Sequence, residues 1–362
     1  MGISRLIKIA GAGPSGLSAA INLAKAGFEV EVFEVAGECG SRFGGDLQGL
    51  ENWSKEKNVI EDLKEMNIET NFDCDPFSKV NWMTASESLE FEFSKPMFYL
   101  VKRGVVKGSL DHGLKTQAIE NGVRINFNSK VSEDQVDIVA TGPLGKESFG
   151  VDKGIIFETD MDDMAIGLSG HKFAYKGYAY LLVTKGYGCM CTVVFDKFET
   201  VNQCLEETKK FFEKKFDMNI RNSKRVGGVA TFSLKGDFQV GEKRFVGEAA
   251  GIQDLLWGFG IRNSITSGYL ASKTIIENKS YQELAKEYFD SKLKASLVSR
   301  FLSEVAGDRM SLIQSLVSQK NGKVKNPDKV FDILRKKYGN YSKILYPLAV
   351  RSLRKRYKFL RD

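Results

Sequence analysis

Gly11, Gly13 and Gly16 fall in the run GAGPSG, and Glu34 follows at the end of the next apolar stretch. Glycines at this spacing let a chain turn sharply, bring its backbone against a pyrophosphate and seat a helix close on a sheet. Ala12, Pro14 and Ser15 fill the turn, and the first amides of the helix behind it would offer partial positive charge to phosphates. The Glu34 carboxylate would accept hydrogen bonds from the adenosine ribose hydroxyls. A tight turn with no nucleotide is the competing reading of the glycines alone.

Elements on either side must position these groups. LIKIA (6–10) is an apolar strand-type run, and Leu17, Ala20, Ile21 and Ala24 line one face of a helix that stops at Gly27. EVEVFE then alternates apolar and acidic residues and ends on Glu34. Strand, glycine turn, helix, strand and terminal acid form the dinucleotide-binding order.

Two distant segments extend the pattern. VDIVATGP (136–143) is an apolar strand that breaks at Ala140-Thr141-Gly142, and FVGEAAGIQDLLWGFGIRNSITSGYLAS (245–272) places glycine-rich turns before a long helix. Together with the opening motif they resemble the para-hydroxybenzoate hydroxylase and geranylgeranyl reductase superfamily of FAD-dependent oxidoreductases. The resemblance implies an α/β fold, in which a Rossmann-like FAD-binding domain of the glutathione reductase/hydroxylase type is interwoven with a β-sheet substrate domain. It implies one tightly held FAD. Thr141 and Gly142 would return the chain toward it, and Gly247 with Glu248 (an aspartate in the family) would meet the ribitol hydroxyls. Gly258, Gly260 and Ile261 would present backbone amides to the isoalloxazine, although the family's proline before this turn is absent from IQDLLWGFG. Arg42, Gly44 and Gly45 in SRFGGD would lie beside the cofactor. Arg103 precedes Leu110-Asp111-x-x-Leu114 as the family's arginine does, and Val131 would contribute a backbone contact near the adenine.

Within that superfamily the hydroxylases carry A-D-G-x-x-S-x-x-R, where this chain reads Ala140-Thr141-Gly142-Pro143-Leu144-Gly145 without the Asp, Ser or Arg. The reductases carry Y-x-W-x-F-P and then G-x-G. Here Tyr178 and Tyr180 take the first aromatic positions and Gly186-Tyr187-Gly188 the second motif. The resemblance therefore implies a reductase that saturates C=C bonds of an isoprenoid or other apolar small-molecule or lipid substrate, fed by NAD(P)H or a ferredoxin. The alternatives are a monooxygenase or halogenase using O2 and NAD(P)H, and a flavin- or lipid-binding protein without turnover. Tyr178 and Tyr180 read equally as substrate-pocket aromatics and as sheet core. By residue type alone, Tyr180 and Cys191 are candidate proton donors.

The chain's 362 residues, 42% apolar and 27% charged, suit a globular protein of one large unit or two domains. The motifs divide it into an FAD-binding domain (1–50, 98–150 and 240–275), a substrate domain (50–97 and 151–240) and a helical region from 276 to 362. Five cysteines in no zinc-like pattern predict free thiols in a reducing compartment, and two histidines exclude a multi-histidine metal centre. With no apolar leader at its start, the sequence is expected to stay in the cytoplasm. Residues 320–362 carry fourteen Lys/Arg against three Asp/Glu, a net +11, which leaves the preceding residues at −4 of the chain's +7. Charge so placed argues against a nucleic-acid partner. The last segment combines Ile344, Leu345, Leu348, Leu353 and Phe359 with Arg351, Arg354, Lys355, Arg356 and Lys358. It reads either as a packed helix with a solvated basic face or as a helix lying on an anionic membrane.

Overall fold

The run at residues 6–10 becomes the central strand of a parallel sheet. In the computed structural model, which describes residues 5–143, 148–232, 236–307, 319–355 and 357, β1 (Leu6–Ala10) lies between β2 (Glu29–Phe33) and β9 (Ile138–Val139). β8 (Arg124–Asn126) extends the sheet beyond β2, while β16 (Lys243–Phe245) and β15 (Gln239–Val240) extend it beyond β9. Ala10 sits beside both Phe33 and Val139, so three strands end at one level. Ile7 and Ile9 are wholly buried. α1 (Pro14–Lys25) and α5 (Ile261–Ile276) lie against each other, with α2 (Val59–Glu65) and α3 (Leu110–Glu120) in the same layered domain. The ligand-binding end of such a sheet is the carboxyl end of its strands.

A larger sheet runs in the order β14 (Arg221–Ala230), β10 (Gly150–Glu158), β13 (Tyr187–Val194), β12 (Tyr178–Thr184), β11 (Met164–Leu168), β5 (Lys79–Met83) and β6 (Ser88–Glu92). β18 (Lys323–Val324) and β17 (Gln319–Lys320) complete its far edge. Alternation along β12 divides its faces. Ala179, Leu181 and Val183 pack with Phe212 of α4 (Val201–Lys215), whereas Tyr180 and Leu182 join Ile156, Cys189, Cys191 and Leu47 on the other side. Leu47 belongs to β3 (Gly44–Glu51), which pairs with β7 (Phe98–Gly104) and, through it, with β4 (Asp75–Phe77) in a small third sheet between the other two.

The region beyond residue 280 departs from its expected all-helical form. α6 (Tyr281–Ala306) is followed, after residues outside those described, by the β17–β18 hairpin. Asn321 and Gly322, with φ of 52° and 76°, form its two-residue turn, the conformation that a tight hairpin favours. The Glu90 amide donates to Gly322 O at 2.8 Å, which ties the hairpin to β6. Helix returns as α7 (Pro327–Arg354), which runs on through Pro347. Packing against α6 outweighs the local cost of that proline. Ala349 and Leu353 are buried, while Ile344 and Leu348, 78% and 57% exposed, share the outer side with Arg351 and Lys355. The predicted apolar face is thus split between core and surface. Leu144, Gly145, 311–318, Arg356, Lys358 and Phe359 lie outside the described residues. Among the described residues no helix is long and apolar enough to cross a membrane, and no cluster of three or more metal-ligating side chains is present.

Candidate functional site

The three strand ends force the first turn to be glycine. Gly11 has φ of +101°, and a Cβ there would lie 2.2 Å from Ala140 O. Gly16 has a similar constraint, since its Cβ would lie 2.0 Å from Gly11 O. Gly13 differs. It sits at the N-terminus of α1, no side chain caps that end, and a Cβ there would meet nothing within 4 Å. The helix therefore opens onto free space, with Pro14 at a position where a missing N–H costs nothing. Glu34 is fixed beside it: one carboxylate oxygen accepts from Ala12 N at 2.8 Å and the other from Ala36 N at 2.9 Å. Val131 packs its side chain on Ala10, Val136 and Val139 at the same end of the sheet.

The late glycine-rich segment arrives at this turn. A Cβ on Gly247 would lie 2.5 Å from Ser15 Oγ, and one on Gly268 would lie 2.0 Å from Ser15 O. Ser18 Oγ donates to Ile265 O at 2.8 Å, and the Gly247 amide donates to Ser267 Oγ at 2.8 Å. Only glycine and small residues allow α1 and α5 to approach so closely.

The second turn is organised by Asp254, a residue that sequence reasoning did not single out. Its amide donates to Phe259 O at 3.0 Å, its carbonyl accepts from Gly258 N at 2.9 Å, and its carboxylate accepts from Trp257 N at 2.5 Å. These bonds close the turn without a proline. Gly258 (φ +74°) faces open space, Gly260 precedes α5 without a side-chain cap, and Ile261 is its buried first residue. Phe259 stacks edge-on against Trp53, with ring centroids 4.6 Å apart.

Burial pushes the Asp254 carboxyl up to about 6. Its folded-state pKa is raised, so it stabilises the fold below the unfolded carboxyl pKa of about 4 and loses that contribution as pH rises through about 6. Asp254→Asn keeps an acceptor for Trp257. The fall in urea-unfolding free energy between about pH 4.5 and about pH 7.5 should be smaller in this variant than in the wild type by about 2 kcal/mol. An unchanged difference would show that the proton is held elsewhere.

Arg42 ties its loop to the late glycine-rich segment and to the end of β14. Its Nη1 donates to Glu248 Oε2 at 2.6 Å, its Nη2 donates to Val229 O, and Glu248 Oε1 accepts from Thr231 N at 3.1 Å. A Cβ on Gly142 would lie 3.9 Å from Arg42 Nη1, which puts the exposed Thr141-Gly142 turn beside the pair. Arg103 is placed differently. It is 6% exposed, donates from Nε and Nη2 to Asp111 at 2.8 and 2.9 Å, and donates from Nη1 to Gln48 at 3.0 Å. Its guanidinium also lies over the Phe43 ring. The arrangement makes Arg103 a brace for the 40–48 loop, because Asp111 accepts from Gly104 N and closes on Gly40 as well. Gly45 (φ +112°) accepts through its carbonyl from the Tyr187 hydroxyl at 3.0 Å, and the Gly44 amide donates to Asp46 at 3.0 Å.

The larger sheet supplies an aromatic and thiol surface. Tyr178 donates its hydroxyl to Trp257 O, its ring lies 6.1 Å from that of Tyr180, and Trp257 stands edge-on to both Tyr178 and Trp82. Tyr180 pairs across the strands with Cys191, whose sulfur is 3.7 Å from Cys189 Sγ. Desolvation raises the Tyr178 and Tyr180 hydroxyls, and the neighbouring Cys189 together with burial raises the Cys191 thiol, so all three stay protonated at neutral pH. On the adjacent strand, burial and then the Asp46 charge push Asp152 up to about 6 against the pull of Arg42. Asp152 was legible only as a carboxylate interrupting the apolar run of β10.

Comparisons with known proteins agree with this geometry. A family model described as an NAD(P)-binding Rossmann-like domain matches residues 9–46. No curated protein matches the chain. Among solved structures, a geranylgeranyl bacteriochlorophyll reductase-like protein from Thermoplasma acidophilum superposes with a TM-score of 0.66 at 17% identity, covering 97% of this chain and 100% of its own. A flavin-dependent brominase gives 0.63 at 14% identity, covering 96% and 98% of the two chains. A 2-methyl-3-hydroxypyridine-5-carboxylic acid oxygenase gives 0.56 at 16% identity, covering 94% and 97%. The chain has the fold shared by these proteins: a Rossmann-like domain interwoven with a second sheet.

Proposed function

We propose that this chain is an FAD-dependent oxidoreductase that reduces C=C bonds of an isoprenoid or other apolar substrate, with NAD(P)H or a ferredoxin as electron donor. The reading is carried by the meeting of two glycine turns, 236 residues apart in sequence at Gly11 and Gly247, with Glu34 bonded beside the first and Glu248 following the second. Two helix N-termini without side-chain caps open there, and Gly13 and Gly258 each leave the space in front of them free. That donor set fits a pyrophosphate at one end and a polar ring edge at the other.

FAD, when bound, supplies the hydride, and the protein supplies binding, orientation and exclusion of water. Gly13 and the first turn of α1 would hold the pyrophosphate, and Glu34 the ribose diol. Glu248, fixed by Arg42 and Thr231, would meet the ribitol hydroxyls. The backbone from Gly258 to Ile261 would meet the flavin ring. Tyr178, Tyr180, Trp82 and Trp257 form an apolar wall suited to a hydrocarbon chain, and Tyr180 and Cys191 hold protons on that wall.

Purified protein should show flavin absorption bands at about 370 and 450 nm. Under anaerobic conditions with a reduced donor, a polyprenyl substrate should gain two hydrogens per C=C by mass spectrometry. Oxygen consumption coupled to NAD(P)H oxidation, with no reduction of polyprenyl chains, would favour a monooxygenase or halogenase. Colourless protein that takes up no FAD would remove the proposal.

A further inference from the structure

Behind the first turn of α5, several buried donors lack acceptors. Among the described residues, Arg262 Nε, Thr266 Oγ1, Tyr288 OH and Lys292 Nζ are buried with no hydrogen-bond partner. They stand one helical turn apart in two pairs, Arg262 with Thr266 on α5 and Tyr288 with Lys292 on α6. Thr266 and Lys292 come together at the Tyr288 ring. Lys292 Nζ is 4.3 Å from its centroid, Lys55 Nζ is 4.9 Å away on the same ring, and Thr266 lies beside its hydroxyl. Arg262 is linked to Lys55 because both donate to Asp62 Oδ2, at 2.5 and 3.0 Å.

The charges in this seam do not balance. Arg262, Lys55 and Lys292 are three cations, and among the described residues the carboxylates paired with them are Asp62 and Glu51, the latter 3.6 Å from Arg262. An ammonium buried without a counter-charge costs several kcal/mol. A water molecule would satisfy one or two donors and leave the charge standing. A small anion satisfies donors and charge together. We infer that the seam between α5 and α6 binds a small monovalent anion of the halide class, held by Arg262, Thr266, Tyr288 and Lys292. Burial alone would raise the Tyr288 hydroxyl, but the Lys292 and Lys55 ammoniums outweigh it and hold it below the ordinary phenol value. That makes the phenol a stronger donor. Arg262 lies two residues beyond Gly260, so the anion would also fix the start of α5.

The test uses the whole protein, with ionic strength held constant while chloride is exchanged for gluconate, an anion too large for the seam. The melting temperature should be higher in chloride by about 3 °C, and Lys292→Met should abolish that difference. Crystals soaked in bromide should show anomalous density between Arg262, Thr266, Tyr288 and Lys292. Should the variant fail to fold, the bromide experiment on the wild type decides alone. Density at surface sites and none in the seam, an adventitious ion only, would overturn the inference. So would identical melting in chloride and gluconate, or a near-ultraviolet signal of ionised phenol at neutral pH that Tyr288→Phe removes, since the seam would then balance its own charge.

Discussion

Gly268→Ala is expected to yield a protein that is destabilised by about 3 kcal/mol and purifies without flavin. The added methyl would sit 2.0 Å from Ser15 O and 3.0 Å from Ala19 N, both backbone atoms of α1. No rotamer change relieves such contacts, so the two helices must separate. Their N-termini carry the two turns proposed to grip the cofactor, so one substitution loosens both grips. The alanine itself suits a helix better than glycine, and local propensity works against the expected loss. Urea titration and the visible spectrum of the same preparation give the two readouts. A variant as stable and as yellow as the wild type would mean that close helix contact is not what assembles the site.

Asp111→Ala is expected to cost about 3–5 kcal/mol. Asp111 is 1% exposed, accepts two bonds from Arg103 and a third from Gly104 N, and packs against Gly40. Removing it strands a buried guanidinium with Gln48 as its remaining acceptor. The paired replacement Arg103→Met with Asp111→Leu removes the charge from both sides and should recover most of the loss, as buried ion pairs exchanged for apolar residues commonly do. A double-mutant cycle by urea unfolding measures the coupling. A single-variant loss below about 1 kcal/mol would place this pair among ordinary surface contacts.

What was legible in the sequence was what local sterics dictate. Gly11 and Gly16 are forced by backbone approaches of 2.2 and 2.0 Å, and no other residue type can substitute at such positions. The strand, helix and acid around them carry their own periodicity. Less legible were groups whose role depends on a partner far along the chain. Arg42 meets Glu248 across 206 positions, and Arg262 meets Asp62 across 200. Neither choice is encoded in nearby spacing. Asp254 closes a turn through its side chain, where a motif search looks for proline. The β17–β18 hairpin did leave a signal, the Asn321-Gly322 pair, overlooked among helix-forming neighbours because the strands on either side are two residues each. The continuity of α7 through Pro347 depends on its packing against α6, which nearby spacing does not encode.

The parallel sheet draws its strands from residues 6–10, 29–33, 124–126, 138–139 and 243–245, and α5, which locks the first helix in place, ends at Ile276. During synthesis the first strands therefore leave the ribosome long before the partners that complete their domain. About 250 residues must follow Ser15 before its contact with Gly268 can form. The nascent chain has to keep Ile7, Ile9 and the apolar side of α1 out of aggregation through that interval, which is the hazard of late, non-local pairing. Truncated chains ending before residue 240 should accordingly be clients of chaperones rather than folded intermediates.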